Sequence, residues 1–423
     1  MSVINNIKAY EVIDSRGVPT ILTEVILKNG VTGKASVPSG SSTGIHEAIE
    51  MRDKDKNRFF GKGVLKNIHL IHSIILDILQ GLDVRDQNNI DSILIELDGT
   101  KNKKKLGANT ILSVSLACAQ AAANYEKLEL YTLIGGLNVN NLPVPLVNIV
   151  NGGAHASNNL DIQEYMLAPI GANTFHQAIR WCSEIFFNLK EILKSNNYVT
   201  AVGDEGGFAS NFNDNYEPLE FLLKAIKVSN LNPEKDVLIS LDVASSEFFE
   251  KNKYHIKSDN MKLKSSEMVN YLKEIVDHYP IFSIEDGCAE DDWNGWVELN
   301  KKLGDKTLLV GDDLFVTNKV RLKKGIKIKA ANSILIKPNQ IGSLSETLET
   351  INIANSNNIE NIISHRSGEA EDCFIADLAI GTNSRFIKTG SVSRSERCCK
   401  YNRLLYIEQN NKKLQYSGIY FNV

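Results

Sequence analysis

The stretch VLISLD, residues 237–242, decides the fold, because it joins a short apolar run to one acidic residue at its end. The same pattern recurs down to residue 388, and each apolar run closes on a charged or hydrogen-bonding side chain. The runs are VLISLD ending at Asp242, IFSIE at Glu285, LLVGD at Asp312, ILIK at Lys337, NIISHRS at His365, Arg366 and Ser367, and RFIK at Lys388. Stretches long enough for a helix lie between them. Apolar strands alternating with helices predict a parallel sheet covered on both faces, most simply a closed βα barrel.

In such barrels the chemistry lies at the C-terminal ends of the strands, so we expect the closing residues to meet at one mouth. An isolated acid there is more often a helix cap or a salt-bridge partner. Three of them in a partly buried mouth repel each other unless a cation compensates. Because Asp242, Glu285 and Asp312 are hard oxygen ligands with no His or Cys beside them, they favour Mg²⁺ over zinc.

Lys337 and Lys388 end strands that are otherwise apolar. Either one alone is explained by snorkelling to solvent. Two lysines aimed at the same divalent site cannot both keep their protons cheaply. We therefore expect one of them to have a lowered pKa and to serve as a general base, while the other stays charged and stabilises an anion.

Weaker signals come from three loops. GDEGGF, residues 203–208, places Glu205 in a glycine-rich turn where backbone can approach a ligand closely. NGGAHASNNLDIQEYM carries His155, a residue type that is more often structural than catalytic, and then Gln163 and Glu164. SHRSGEAED offers Arg366 and Ser367, a fork donor and a hydroxyl suited to phosphate.

The Gly/Ser stretch VPSGSSTGIHEA enters a predicted helix from His46 to Arg52, with Ser42 and Thr43 as caps. It indicates either phosphate binding or a mobile lid. The stretch lacks the terminal Gly-Lys-Ser/Thr of a nucleotide-binding P-loop, which excludes that class.

The chain has 423 residues, long enough for a barrel of about 250 residues and a second domain. Its N-terminal part alternates at period two around Asn29–Gly30, which predicts a hairpin, and a strand near Lys8 to Ile13 completes a small meander. Helical patterns follow, so residues 1–135 are expected to form an α+β domain and residues 136–423 the barrel. The prolines of LNVNNLPVPLVN mark the junction.

A formal net charge of -4 gives no polybasic face, so neither nucleic acid nor a membrane surface is an expected partner. We find no signal-peptide pattern and no apolar run of the roughly 20 residues that a membrane span needs. Six cysteines, two of them adjacent, form no disulfide framework and no paired metal motif. They fit a reducing cytosol, most of them as small core residues.

Taken together, these segments resemble the enolase family of bacterial type, in unbroken order from DSRG near residue 14 to RSER near residue 394. The strings that carry the resemblance are SGSSTGIHEA, QEYM, GDEGG, LDVASSEF, SIED with AEDDW, GDDL, NQIG, SHRSGE and IKTG. The resemblance implies a modified (β/α)8 TIM-like barrel preceded by a small α+β N-terminal domain, hence the α/β class. It also implies reversible dehydration of 2-phospho-D-glycerate to phosphoenolpyruvate with two Mg²⁺ ions, in the cytoplasm and by a homodimer.

The resemblance also implies roles for individual residues. Lys337 resembles the base next to the substrate carboxylate, and Glu205 the acid at the departing hydroxyl, with Glu164 beside it as a third catalytic residue. Metal ligands by resemblance are Asp242, Glu285 and Asp312 for the first magnesium and Ser42, in the lid, for the second. Substrate contacts by resemblance are His155, Gln163, Glu164, His365, Arg366, Ser367 and Lys388. A Lys or His base with Mg²⁺ is a known pattern of enolase-superfamily sites.

The sequence departs from the usual family strings beside these positions, at Val18, Ser41, Gly287, Cys288, Ser391 and Val392. Two of the changes remove a proline, which limits the freedom of the unfolded chain. No departure removes a residue assigned above, so we expect any effect to fall on rate and stability rather than on the type of reaction.

Two alternatives stay open. One is another dehydratase or racemase of the same superfamily acting on an unphosphorylated acid, against which Arg366, Ser367 and the SGSSTG lid argue. The other is an enolase-like protein kept for interactions in surface or RNA-processing assemblies. Such a protein is expected to lose some of Lys337, Glu205 and the three acids, all of which are present; an added role of this kind stays open, as does a cell-surface location.

Overall fold

The computed structural model of the chain describes residues 1–40 and 44–418. It begins with an antiparallel three-stranded meander of β1 (Ile4–Ile13), β2 (Pro19–Leu27) and β3 (Thr32–Ser36). The predicted hairpin at Asn29–Gly30 is confirmed, since it joins β2 to β3. Gly30 has a φ of +87°, a left-handed conformation that glycine adopts without a steric cost.

Helices cover one side of this meander. They are α1 (Leu65–Leu70), α2 (Leu76–Leu79), α3 (Gln87–Asp98), α4 (Ala108–Glu126) and α5 (Leu130–Gly135). The small residues of α4 let it approach the sheet closely. A Cβ added to Gly33 of β3 would lie 2.1 Å from the backbone nitrogen of Ala121. Side-chain size thus sets the distance between the helix and the sheet.

The predicted helix from His46 to Arg52 is wrong, because the backbone of this segment bonds to other parts of the chain. Ala48 N–H donates to the carbonyl of Gln340, and Ile49 N–H donates to the carbonyl of Asn102, both at 2.8 Å. These bonds replace the ones that a helix would make with itself. The segment therefore runs as an irregular strap between the N-terminal region and the barrel.

The remaining strands, in chain order, are β4 (Asn141–Leu142), β5 (Val144–Asn151), β6 (Glu164–Ala168), β7 (Leu238–Asp242), β8 (Phe249–Glu250), β9 (Lys253–Ile256), β10 (Met261–Leu263), β11 (Ile281–Glu285), β12 (Leu308–Gly311), β13 (Ser333–Ile336), β14 (Glu360–Ser364), β15 (Phe386–Lys388) and β16 (Gln415–Tyr416). Eight of them close a barrel in the order β11-β12-β13-β14-β15-β5-β6-β7. β8, β9 and β10 form a small separate sheet, and β4 pairs with β16.

One barrel strand runs against the others. β6 is antiparallel to both β5 and β7, while the other neighbouring strands are parallel. The connection from Asn151 to Glu164 holds only a 3₁₀ turn at Gly153–His155, and a parallel crossover needs a longer unit, usually a helix. The simple expectation of a wholly parallel sheet is therefore wrong at β6. The expected α/β class with a modified (β/α)8 barrel is confirmed.

Helices surround the barrel. They are α6 (Phe175–Ser195), α7 (Glu217–Val228), α8 (Ser265–His278), α9 (Trp293–Leu303), α10 (Lys319–Ile328), α11 (Pro338–Ile341), α12 (Leu344–Asn355), α13 (Phe374–Gly381) and α14 (Ser395–Asn410). On α6, Ala178, Cys182 and Leu189 are fully buried. Within residues 1–40 and 44–418, no helix has both the length and the apolar character to cross a membrane. The domain division at residue 135 stays a prediction.

Candidate active site

The predicted closing residues do lie at one end of the barrel. Asp242 and Glu285 are the last residues of β7 and β11, and they pair with each other in register. Glu164, the first residue of β6, pairs with Asp242 on its other side. Because β6 is reversed, its first residue reaches the same edge as the last residues of its neighbours. The mouth is thus lined by side chains from strands that run in opposite directions.

Lys388 is the cation around which three of these acids gather. Its Nζ lies 2.9 Å from Asp242 Oδ2, 2.8 Å from Glu285 Oε1 and 3.4 Å from Glu164 Oε1. Burial by itself lowers the pKa of Lys388, but the carboxylates, with Asp242 foremost, outweigh it and raise the pKa well above its ordinary value. Lys388 therefore stays charged, as expected for the lysine that stabilises an anion.

Lys337 follows β13 and donates to Asp312 Oδ2, while Gln340 Nε2 donates to the other oxygen of Asp312 at 2.8 Å. Burial acts to lower the pKa of Lys337, but the Asp312 carboxylate raises it above its ordinary value. Both lysines are thus held protonated by the protein groups. We expected one of the two lysines to have a lowered pKa. With the protein groups alone this expectation is wrong, because the acids at the mouth outnumber the ammonium groups.

On the side of β6, His155 lies between two buried acids. Its Nδ1 is 3.3 Å from Glu164 Oε1 and 3.6 Å from Glu205 Oε2. Asn148 Nδ2 and His365 Nε2 also approach Glu205 Oε2, at 3.3 Å and 3.6 Å. The predicted residues of the GDEGGF and QEYM segments therefore share one polar cluster.

The two acids of this cluster have pKa values that are shifted in opposite directions. Burial and then the charge of Glu205 raise the pKa of Glu164 to about 7. Burial acts in the same direction on Glu205, but opposing charges, with His155 foremost, outweigh it and hold its pKa well below the usual range. One carboxyl beside an ionised one is the arrangement in which a site stores a single exchangeable proton near neutral pH.

The glycine turn around Glu205 is packed against protein rather than open. A Cβ on Gly206 would come within 2.5 Å of Ser393 Oγ, and Gly206 has a φ of +88°. A Cβ on Gly207 would lie 2.2 Å from Asn151 Oδ1. The glycines let the turn fit between neighbouring loops, and this fixes the position of Glu205.

Arg366 is buried and forms a two-pronged ion pair with Glu47, at 2.9 Å and 3.2 Å, and its Nη1 also donates to Asn339. The Arg366 guanidinium, which was predicted to bind phosphate, is thus paired with the carboxylate of Glu47 from the strap. We did not single out Glu47 from the sequence, although it lies in the same Gly/Ser-rich stretch as the predicted lid. Ser367 Oγ accepts a bond from Arg16 Nη1 at 3.3 Å.

Arg397, at the start of α14, was also missed. Its guanidinium is fully buried and donates to the carbonyl of Arg366, to the carbonyl of Ser367 at 2.6 Å, and to His365 Nδ1 at 2.6 Å. It therefore fixes the segment that carries three predicted substrate contacts. The RSER string contains it, but nothing in the string says which way the side chain points.

The acids at the mouth fit a divalent cation. Burial and then the charge of Asp242 raise the pKa of Glu285 well above its ordinary value, so the protein groups alone disfavour its charged form, which a bound cation would stabilise. Among the described residues, two triplets have ligand atoms within 4.8 Å of one another: Asp286 with Asp312 and Asp313, and His155 with Glu164 and Glu205. Asp286 and Asp313 were missed, although each directly follows a predicted ligand in the strings SIED and GDDL.

Buried polar atoms at the mouth also point to a polar ligand. Gln163 Oε1 and Glu164 Oε2 are buried and accept no hydrogen bond from any described residue. Buried polar groups in proteins are nearly always paired, so such atoms call for a partner. The predicted ligand Ser42, and the departure at Ser41, lie outside the described residues.

The departures at Gly287, Cys288 and Ser391 lie at positions that contact neighbouring residues closely. A Cβ on Gly287 would lie 2.9 Å from Leu272 and 3.0 Å from Leu299, so the residue is packed between α8 and α9. Cys288 is fully buried. Ser391 N–H donates to the carbonyl of Glu205 at 2.9 Å, so the proline-free loop still supports the Glu205 turn.

Two family models match the chain. The enolase N-terminal domain matches residues 4–134, and the enolase C-terminal TIM barrel domain matches residues 139–423. Together they leave only a few residues uncovered. The chain therefore belongs to the enolase family, which is metal-dependent and acts on small-molecule substrates.

Proposed function

We propose that the chain catalyses the reversible dehydration of 2-phospho-D-glycerate to phosphoenolpyruvate, as a lyase of glycolysis in the cytoplasm. One observation carries this proposal: Lys337 and Glu164 leave strands on opposite sides of the mouth. In the ring of eight strands, β13 and β6 are four places apart in either direction. An elimination needs a base at the alpha carbon and an acid at the leaving hydroxyl, and a substrate lying across the mouth would meet one group on each side.

In this proposal Lys337 removes the proton next to the substrate carboxylate. Glu205 protonates the departing hydroxyl, and Glu164 supplies its proton reserve, which the raised pKa of Glu164 supports. His155 and His365 contact Glu205 from two directions and orient it. Proton transfer by positioned groups of this kind typically contributes 10²- to 10⁴-fold to the rate, so roughly 3–5 kcal/mol of the barrier depends on their placement.

The substrate anion would be held by side chains around the mouth. We assign its phosphate to Arg366 and Ser367 and its carboxylate to Lys388. The neighbouring polar contacts are His155, Gln163, Glu164 and His365. Because Glu47 pairs with both Nη atoms of Arg366, we expect phosphate to compete with this carboxylate for the guanidinium.

Two Mg²⁺ ions complete the proposed site, the first held by Asp242, Glu285 and Asp312 and the second involving Ser42. When bound, they stabilise the added negative charge that the substrate carboxylate acquires when its neighbouring carbon loses a proton. Beside these ions Lys337 would give up its proton more readily, and it must lose that proton before it can act as a base. The oxygen-only donor set supports Mg²⁺ among the divalent ions.

The test is the ultraviolet absorbance of the enol phosphate formed from 2-phosphoglycerate, measured with and without Mg²⁺. The matched substrate is glycerate, which has the same carbon skeleton and no phosphate. We expect product from the phosphorylated acid alone. Turnover of glycerate, with none of 2-phosphoglycerate, would support the unphosphorylated-acid alternative, and no turnover of either would support a protein kept for interactions.

We also propose a homodimer built largely through the N-terminal domain. Arg16, in the segment on which this expectation rests, contacts Asp14, the carbonyls of Ser39 and Gly40, and Ser367 within its own chain. These contacts shape the segment that the homodimer would use.

A further inference from the structure

Three of the six cysteines gather at one place on the outside of the barrel. Cys373 caps the start of α13, and Cys398 and Cys399 lie in the first turns of α14. All three are partly exposed, whereas Cys118, Cys182 and Cys288 are buried. This cluster takes no part in the active site described above.

Two of the three thiols each lie close to a backbone carbonyl at or beside the other cysteine. Cys373 Sγ lies 3.4 Å from the carbonyl oxygen of Cys399. In return, Cys399 Sγ lies 3.8 Å from the carbonyl oxygen of Asp372, the residue before Cys373. Each sulfur therefore reaches the peptide group next to the other, and the two thiols lie within hydrogen-bonding reach of each other.

The surroundings of Cys399 favour its thiolate. A hydrogen bond from the Cys373 thiol lowers the pKa of the Cys399 thiol to about 7, and the Lys400 ammonium adds to this effect against burial and the charges of Glu369 and Asp372. Burial raises the pKa of Cys118, Cys182 and Cys288. The thiolate is the nucleophile in sulfur redox chemistry, so Cys399 is the reactive member of the pair.

A small oxidant can reach the Cys373 side of the pair through a surface cavity, and Cys399 is itself partly exposed. Cys373 lines a surface cavity of about 340 Å³ together with Lys34, Glu129 and Arg403. Cys398 is adjacent to Cys399 on the same helix, where side chains one position apart do not face each other. The partner of Cys399 is therefore Cys373.

We propose that Cys373 and Cys399 form a redox-active dithiol, a modification site at which a peroxide produces a disulfide between α13 and α14. In the first step the Cys399 thiolate attacks one peroxide oxygen, the O–O bond breaks, and the released hydroxide takes up a proton to leave as water. Cys399 is then a sulfenic acid. In the second step the Cys373 sulfur attacks the Cys399 sulfur, the S–O bond breaks, and a second water leaves. The two sulfurs together lose two electrons and the peroxide gains them.

The experiment uses the full native chain treated with a stoichiometric amount of hydrogen peroxide. Free thiols are counted after denaturation, and we expect the count to fall from six to four and to return to six with dithiothreitol. Trypsin should then release residues 367–385 joined to residues 398–400, since both peptides are bounded by Arg or Lys.

Two matched variants identify the sulfur atoms. Cys398→Ser should fall from five free thiols to three and keep the joined peptides. Cys399→Ser should stay at five and give no joined peptides. The proposal is overturned if wild type keeps six thiols, if oxidation stops at a single cysteine without a link, or if Cys399→Ser still forms the link through Cys398.

Discussion

Arg397 Nη1 donates a hydrogen bond of 2.6 Å to Nδ1 of His365, which sets the protonation of that imidazole. A guanidinium has no acceptor, so Nδ1 must be the acceptor and the ring proton lies on Nε2, which faces Glu205. Burial and the Arg397 charge hold the pKa of His365 well below its usual range. His365 therefore presents a neutral N–H towards Glu205, at 3.6 Å.

Arg397→Lys should remove the fork that holds His365 and the carbonyls of Arg366 and Ser367. Because one ammonium cannot make these bonds together, we expect a loss of about 2 kcal/mol in the free energy of unfolding and a fall in kcat. The control is Arg403→Lys on the same helix, whose guanidinium pairs with Asp377 and Glu129 away from the mouth. Steady-state kinetics and denaturation decide the point, and wild-type turnover in Arg397→Lys would contradict the positioning role.

Metal removal should abolish activity, and added Mg²⁺ should restore it. Asp312→Ala should also weaken Mg²⁺ binding, measured by calorimetry, because it removes one carboxylate from the mouth. Since Asp312 raises the pKa of Lys337, the same variant should lower the pKa of that lysine. Unchanged turnover in excess chelator, or normal magnesium affinity in the variant, would refute the ligand assignment.

The proposed base and acid can be separated by isotope exchange. Lys337→Ala should lose both dehydration and exchange of the substrate alpha proton with deuterated water. Glu205→Gln should lose dehydration yet keep much of the exchange, since the base remains. Exchange lost only in the Glu205 variant would mean that the two roles are reversed.

Glu47→Ala should remove the carboxylate that forms a two-pronged ion pair with the buried Arg366 guanidinium. Such changes cost about 3–5 kcal/mol, and we expect a loss of this size in the free energy of unfolding. Glu184→Ala is the control, because its pair with Arg180 is exposed and is worth at most about 0.5 kcal/mol. Inorganic phosphate should restore more stability to Glu47→Ala than to wild type, and equal effects would argue against Arg366 as the phosphate site.

The homodimer can be checked by sedimentation at micromolar concentration. We expect a single species of twice the chain mass of 47.0 kDa. Only monomer under these conditions would remove the homodimer from the proposal, without affecting the assignment of the active-site residues.

The barrel and its mouth could be predicted because six of the barrel strands, β7 and β11 to β15, are short apolar runs followed by polar residues. The same pattern could not show that β6 is reversed, since strand direction depends on the length of the connection before it. It also predicted a helix at residues 46–52, where bonds to Gln340 and Asn102 prevail over local preference. Tertiary hydrogen bonds of this kind leave no periodic signal in the sequence.

The site was predicted less completely than the fold. Residues at strand ends, such as Asp242 and Lys388, could be found because position along the strand fixes their direction. Glu47 could not be found, because it reaches Arg366 from a segment without strand or helix periodicity. Arg397 could not be found either, because it reaches His365 from a helix, and the sequence does not show which way that helix face points. The expectation for the lysine pKa was wrong for another reason. It considered the repulsion between the two lysines but omitted the surrounding carboxylates, which raise the pKa of both.

The contact between Lys388 and Asp242 also has a consequence for folding order. The two residues are 146 positions apart, and β15 is the last strand to join the barrel along the chain. Until β15 docks, Asp242 and Glu285 lack the ammonium group that balances them, and burying them unbalanced is costly. Closing the barrel and neutralising its acids are thus one event, and a chain released before residue 388 should stay open between β14 and β5, the two strands that β15 joins, rather than form a smaller closed sheet.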